Sequence, residues 1–245
     1  MSLGVWLLVV GLCDLVRAAR DVTSASRRAL IVGLGTALLL FAAVVLQPAG
    51  WRLWALLVLW VGSFVLWVLG SASALLRRTV RARALAFVGL GGGVAAAILF
   101  DPRFTSTPTR IPTALTAWPL EQVVLVLGVA VVQLATANVT VRLVLDAVGV
   151  PASTNEKTLK GGRLLGPMER LFVVALGLAG HLTAASIVVA AKGLLRFPEL
   201  QADSRDAASR EGPSDVTEYF LIGSFASWLF ALAGIGLAAL GTALP

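Results

Sequence analysis

Between Glu169-Arg170 and Lys192 the chain runs for 21 residues, Leu171–Ala191, without a full charge. At about 1.5 Å per residue, a helix of that length spans roughly 30 Å, the thickness of a bilayer's hydrocarbon core. The surrounding stretch, Gly161–Gly223, holds the only His, His181, and the only Tyr, Tyr219. Apolar runs of similar length recur along the chain. The predicted fold is therefore an all-α integral membrane protein, and its organisation is counted in spans.

Composition agrees. Apolar residues make up 58% of the chain and charged ones 13%, with a mean hydropathy of +0.90. A soluble domain carries about twice that charge fraction. In a soluble chain the net charge of +7 would point to nucleic acid. In a membrane chain it points to basic loops facing anionic lipid headgroups, so the bilayer is the expected partner and nucleic acid is not. A single cysteine, Cys13, leaves no intrachain disulfide and no cysteine metal cluster.

Seven spans are predicted. The first, Met1–Val16, lacks the basic start and small-residue cleavage site of a signal peptide. Cys13 reads as a packing residue there. Asp14, i,i+3 from Arg17, reads as a locally paired carboxylate at a helix end. Ala29–Leu46 is the second span, closed by Pro48 and Gly50. Trp51–Leu76 is the third, with Trp51 and Trp54 suited to an interfacial belt and Trp60 and Trp67 packed or facing lipid. Ala84–Phe100 is the fourth, and its Gly89–Gly93 run suits close helix packing. Without a following Lys-Ser/Thr that run is not a phosphate loop. These four form an N-terminal half, residues 1–100.

Residues 101–118, rich in Pro and Thr, read as an external loop leading into a three-helix half, residues 119–245. Pro119 and Glu121 suit the start of the fifth span, Leu120–Leu143. That span is the most polar, with Gln133, Thr136, Asn138, Thr140 and Arg142. Asn138, Arg142 and Asp146 share one face at i, i+4 and i+8. Leu171–Ala191 is the sixth span and Phe220–Leu240 the seventh. The loops after spans one, three and five are the basic ones, and the loop after six is net acidic. This puts the N-terminus outside and the C-terminus inside. The Arg-heavy, Ala/Leu/Val/Gly-rich usage suggests a bacterial cytoplasmic membrane.

Several short motifs follow one another in the C-terminal part: Gly162-Arg163-Leu164-Leu165-Gly166, Met168-Glu169-Arg170-Leu171, Ala190-Ala191-Lys192, Arg196-Phe197, Glu218-Tyr219 and Ile222-Gly223. With Ala137-Asn138 in span five, they cover roughly Asn138–Ser227. In these residues the chain resembles a bacterial family of multi-pass membrane proteins classed only as a domain of unknown function. The resemblance implies a membrane-embedded fold and brings no settled activity. Members commonly carry Ser where this chain has Gly193, and Gln near the place of His181. Their N-terminal half often holds a His- and Asp-containing cluster reminiscent of membrane-bound hydrolases. Only Asp14 corresponds here, and no His precedes His181.

One His and one Cys exclude a His-rich metal site, and no P-loop, dinucleotide fingerprint or HExxH occurs. No catalytic residue, metal or cofactor is expected. What remains is polar. Arg170, His181 and Lys192, spaced by 11, fall on one face of a continuous helix. They line either a narrow aqueous path or an interhelical contact, with His181 bonded to Gln133 or Thr136. Lys192 and Glu218, at facing ends of spans six and seven, are expected to form a clamp with Arg196 and Tyr219. The leading expectation is a transporter or channel component with a polar path along spans five to seven, formed by these residues with Asn138 and Arg142. A structural or assembly subunit, acting as a homo-oligomer or with a membrane partner, comes second. A membrane enzyme acting on lipid comes last.

Overall fold

The structure, a computed structural model, describes residues 1–19, 24–46, 50–100, 119–150, 162–191, 193–194 and 215–243. The expected loop 101–118, most of both loops flanking span six, and Lys192 and Arg196 lie outside the described residues. The described residues form helices and no strand: α1 (Ser2–Ala19), α2 (Ala25–Leu46), α3 (Trp51–Arg77), α4 (Val80–Leu99), α5 (Leu120–Leu134), α6 (Thr136–Ala147), α7 (Gly162–Leu178), α8 (Leu182–Ala191) and α9 (Asp215–Ala243). They fall into two compact units, one of Met1–Thr136 with Leu237–Pro245 and one of Ala137–Gly236.

In the first unit α1 and α3 run parallel. Trp6 stacks on Trp60 with ring centroids 6.2 Å apart, Asp14 meets Trp67 and Arg17 meets Ser71, so both helices advance together. α1 also runs parallel to α5: a Cβ at Gly4 would lie 2.7 Å from the Leu125 nitrogen, and one at Gly11 3.0 Å from the Val132 nitrogen. α3 and α4 form an antiparallel hairpin across Arg78 and Thr79. Arg78 is left-handed (φ 52°) and its N–H bonds the Ala74 carbonyl at 2.8 Å, satisfying one of the last carbonyls of α3.

Small residues set these distances. A Cβ at Gly89 would lie 2.5 Å from the Trp67 nitrogen and 2.6 Å from the Ser63 carbonyl oxygen, and one at Gly93 would enter the Trp6 ring. In lipid no hydrophobic force draws helices together, so close backbone approach and dispersion must do so. The expected small-residue face of Gly89–Gly93 is thus the seam of α4 against α3 and α1. Trp60 and Trp67 are fully buried in this unit, whereas Trp51 and Trp54 stand 68% and 69% exposed at the start of α3.

The second unit contains α6, α7, α8 and most of α9. α9 packs on α6 where Gly223 meets Leu145 and Val141, and on α7 where Gly177 meets Ile235. α6 closes on Gly149, at φ +84°, with the Val150 N–H bonding the Leu145 carbonyl at 3.0 Å.

Four described helices are long and apolar enough to cross a membrane: α2, α3, α4 and Glu218–Gly241 of α9. The α5–α6 pair is a fifth if counted as one broken span. Three of the seven expected spans differ: the fifth, Leu120–Leu143, is broken at Ala135, where α5 and α6 bend by 45°. α1 is 18 residues long with Asp14 and Arg17 toward its end, and is not among those helices. Leu171–Ala191 is not one helix: α7 ends at Leu178 and α8 begins at Leu182.

Candidate functional site: two buried polar clusters and two broken apolar runs

Helical spacing alone puts Asp14 and Arg17 on one face of α1, and Trp67 and Ser71 on one face of α3. In the first unit these faces meet. The Trp67 indole Nε1–H donates to Asp14 Oδ2 at 3.0 Å. Arg17 Nη1 lies 3.3 Å from Asp14 Oδ1, and Arg17 Nη2 donates to Ser71 Oγ at 3.0 Å. Ser71 in turn donates to the Trp67 carbonyl one turn back, at 2.5 Å. The Asp14 side chain is wholly buried and that of Arg17 nearly so.

The local pairing expected for Asp14 is present. Its second partner, Trp67, 53 positions away, has no local signal in sequence. The Thr136 side chain lies against the same carboxyl. Thr136 and Gln133, both fully buried, flank Ala135, where α5 ends and α6 begins. Cys13 is buried beside this cluster.

The second unit holds a matching arrangement. Arg170 of α7 donates through Nη2 to Asn138 Oδ1 on α6 at 2.5 Å, and through Nη1 to Ser227 Oγ on α9 at 2.9 Å. Its neighbour Glu169 accepts from the Trp228 indole of α9 at 2.8 Å. Both charged residues are buried. A guanidinium presents several N–H donors in a fixed fork, so one side chain can bind two helices at once.

Of the residues singled out in sequence, Asn138 and Arg170 are therefore brought together. Arg142 is half-buried one turn further along α6, and Glu218 and Tyr219 are half-buried near the start of α9. Ser227, Glu169 and Trp228 complete the cluster. Ser227 and Trp228 carry no spacing or charge signal that distinguishes them in the sequence.

His181 departs from expectation. The Gly180 N–H bonds the Gly177 carbonyl at 3.1 Å and the His181 N–H bonds the Leu176 carbonyl at 2.8 Å, with Gly180 at φ +81°. This is the left-handed glycine cap that ends a helix. The His181 carbonyl then accepts from the Ala185 N–H at 3.1 Å, opening α8. His181 is thus the joint between two helices, and its side chain is exposed. The single-helix stripe of Arg170, His181 and Lys192 does not form, because Gly180 turns the chain between the first two. Arg170 is buried and His181 exposed, and Lys192 lies outside the described residues.

Beside the Arg170 cluster an open groove of about 730 Å³ runs along α9, lined by Thr140, Val144, Phe220, Phe225, Trp228 and Leu229 among others. Its wall is apolar, so it does not extend the polar cluster. Among the described residues no group of three or more His, Cys, Asp and Glu could hold a metal ion. Protein-family models, curated proteins and solved structures were compared with the chain, and none matches.

Proposed function

We propose that this chain is a component of a membrane transporter or channel for a small ion. It sits in a bacterial cytoplasmic membrane with its N-terminus outside, and its C-terminal part belongs with the multi-pass family it resembles. One observation carries the reading: two apolar runs are interrupted, at Ala135 and at Gly180-His181. Non-helical backbone in hydrocarbon leaves amide groups without partners, and is tolerated where it is buried in protein or lines water. Discontinuous helices are how many transporters build a substrate or ion site. Buried Gln133 and Thr136 flank the first interruption, and an ionisable side chain, the exposed His181, sits on the second, which supports an ion path.

A second reading, a structural or assembly subunit, is favoured by the bonding of the clusters. Asp14, Glu169 and Arg170 each have partners within their own unit, which suits a clamp. Water access at the second interruption separates the readings. In a Cys13→Ala background, His181→Cys should react with a membrane-impermeant maleimide while neighbouring Leu182→Cys, at an exposed apolar position, does not. Labelling of both would mean the joint lies at the membrane surface. Labelling of neither would mean it is dry. Either outcome overturns the path at this point.

A further inference from the structure

We infer that Asp14 is a proton-binding site in the first unit, and that the ion handled at the first interruption is the proton. The binding stands on the geometry of the cluster, and its place in an ion path rests on the transport reading above. The depth of Asp14 is set by α3. Its carboxyl meets Trp67, ten residues before Arg77 at the end of α3, which is about 15 Å at the helical rise. α3 is long and apolar enough to cross a membrane. On a spanning α3 the carboxyl lies well inside the hydrocarbon, where an acid marks an ion or proton pathway.

The two carboxyl oxygens differ. Oδ2 accepts from the Trp67 indole. Oδ1 faces Arg17 Nη1 at 3.3 Å without the alignment of a hydrogen bond, and both of those atoms are buried. Oδ1 is thus the oxygen that can take a proton without giving up a bond. Thr136, just past the Ala135 break, lies against the same carboxyl, so the acid sits at the interruption. Ion sites in transporters are built from such pairings of a broken helix and polar groups. Arg17 decides which ion. Among the described residues it is the one charge acting on Asp14. Cys13 is its neighbour on α1, α3 brings Trp67 and Ser71, the break brings Thr136, and α2, α4 and α5 bring no charge to it. A guanidinium this close repels a metal cation, whereas a proton binds on the oxygen itself. Uptake forms an O–H bond on Oδ1 and leaves Arg17 on Ser71. Release restores the ion pair.

The α1–α3 seam also holds a route to this site. Ser2 and Trp6 of α1 and Trp60 of α3 are fully buried, yet Ser2 Oγ and both indole Nε1 atoms have no hydrogen-bond partner in the protein. Trp6 stacks on Trp60, and lies about 12 Å before Asp14 along α1. Buried polar groups left in this way are met by ordered water. They lie on one side of Asp14, toward the start of α1, and anchor the water that delivers the proton.

The test uses the full chain in phosphatidylcholine vesicles. Infrared difference spectra between acid and alkaline pH should contain the carbonyl stretch of a protonated, buried carboxyl. Isotope labelling of aspartate carboxyls in the unmodified chain should shift that band, and labelling of glutamate should not. Asp14 is the only buried aspartate among the described residues. The double variant Asp14→Asn, Arg17→Gln removes both charges together and strands neither. It should lose the band and lower the proton flux reported by pyranine to that of protein-free vesicles. A spectrum without an aspartate band would overturn the inference. So would a band that survives the double substitution, or a variant that carries protons as fast as the unmodified chain. An aspartate band that the double substitution removes, in a chain that carries no protons, would uphold the binding site and contradict the transport reading instead.

Discussion

The Trp67 indole donates to the Asp14 carboxylate at 3.0 Å, and the same carboxylate holds Arg17 from within its own helix. A buried ion pair contributes little net stability, because both charges were taken from water, but breaking it strands the survivor. Asp14→Ala should therefore cost about 3–5 kcal/mol by leaving Arg17 without its counter-ion. Trp67→Phe, which keeps most of the ring volume and removes the donor, should cost about 1.5–3 kcal/mol. Asp14→Leu combined with Arg17→Met should be less damaging than Asp14→Ala alone. Thermal unfolding in detergent, read for all four proteins, checks the order.

The α3–α4 seam makes a sharper claim about space. Gly89 faces the backbone of Trp67, whereas a Cβ at Gly91 meets nothing within 4 Å. Gly89→Ala should destabilise by about 1–3 kcal/mol, since two backbones would have to part. Gly91→Ala, two residues away on the open side, should be neutral or stabilising by up to about 1 kcal/mol. Equal melting temperatures for the two variants would remove the seam from the account.

Arg170 joins α6 to α9 through Asn138 and Ser227. Arg170→Lys keeps the charge but replaces the planar fork with a single ammonium, so it should still cost about 1–3 kcal/mol. In a double-mutant cycle, Arg170→Gln and Asn138→Ala should be strongly non-additive, because each removes the same bond. Additive losses would mean that the two side chains do not support one another.

Gly180 and His181 carry opposite expectations. Gly180→Ala forces an alanine into the left-handed region and should cost about 1–2 kcal/mol. His181 is exposed, so His181→Gln and His181→Leu should both stay within about 0.5 kcal/mol of the unmodified chain. The same melting experiment reads all three. A marked loss for the Leu variant alone would return His181 to a buried polar contact.

The helical, lipid-suited character of the chain was legible because apolar composition and run length are local properties. So were the Asp14–Arg17 pair, which needs only i,i+3 spacing, and the packing role of Gly89–Gly93. Trp67 as the partner of Asp14, and Ser227 as a partner of Arg170, were not legible. Both bonds join residues more than 50 positions apart, and nothing in an indole or a hydroxyl announces its partner. The break at Gly180 was within reach. A glycine followed by a polar residue is the usual mark of a helix C-terminus, but the uncharged run of 21 residues outweighed it. Hydropathy reports the solvent a segment prefers and is silent on whether its backbone stays helical.

Ion flux through the purified chain tests the transport reading most directly. Vesicles containing the full chain would be loaded with pyranine and given a pH step. Matched vesicles would be given a potassium or a chloride gradient, each against protein-free controls. The expected result is a protein-dependent flux of at least one of these ions, scaling with the amount of chain reconstituted. Flux indistinguishable from protein-free vesicles for all three would contradict it and leave the polar clusters as clamps of a structural subunit.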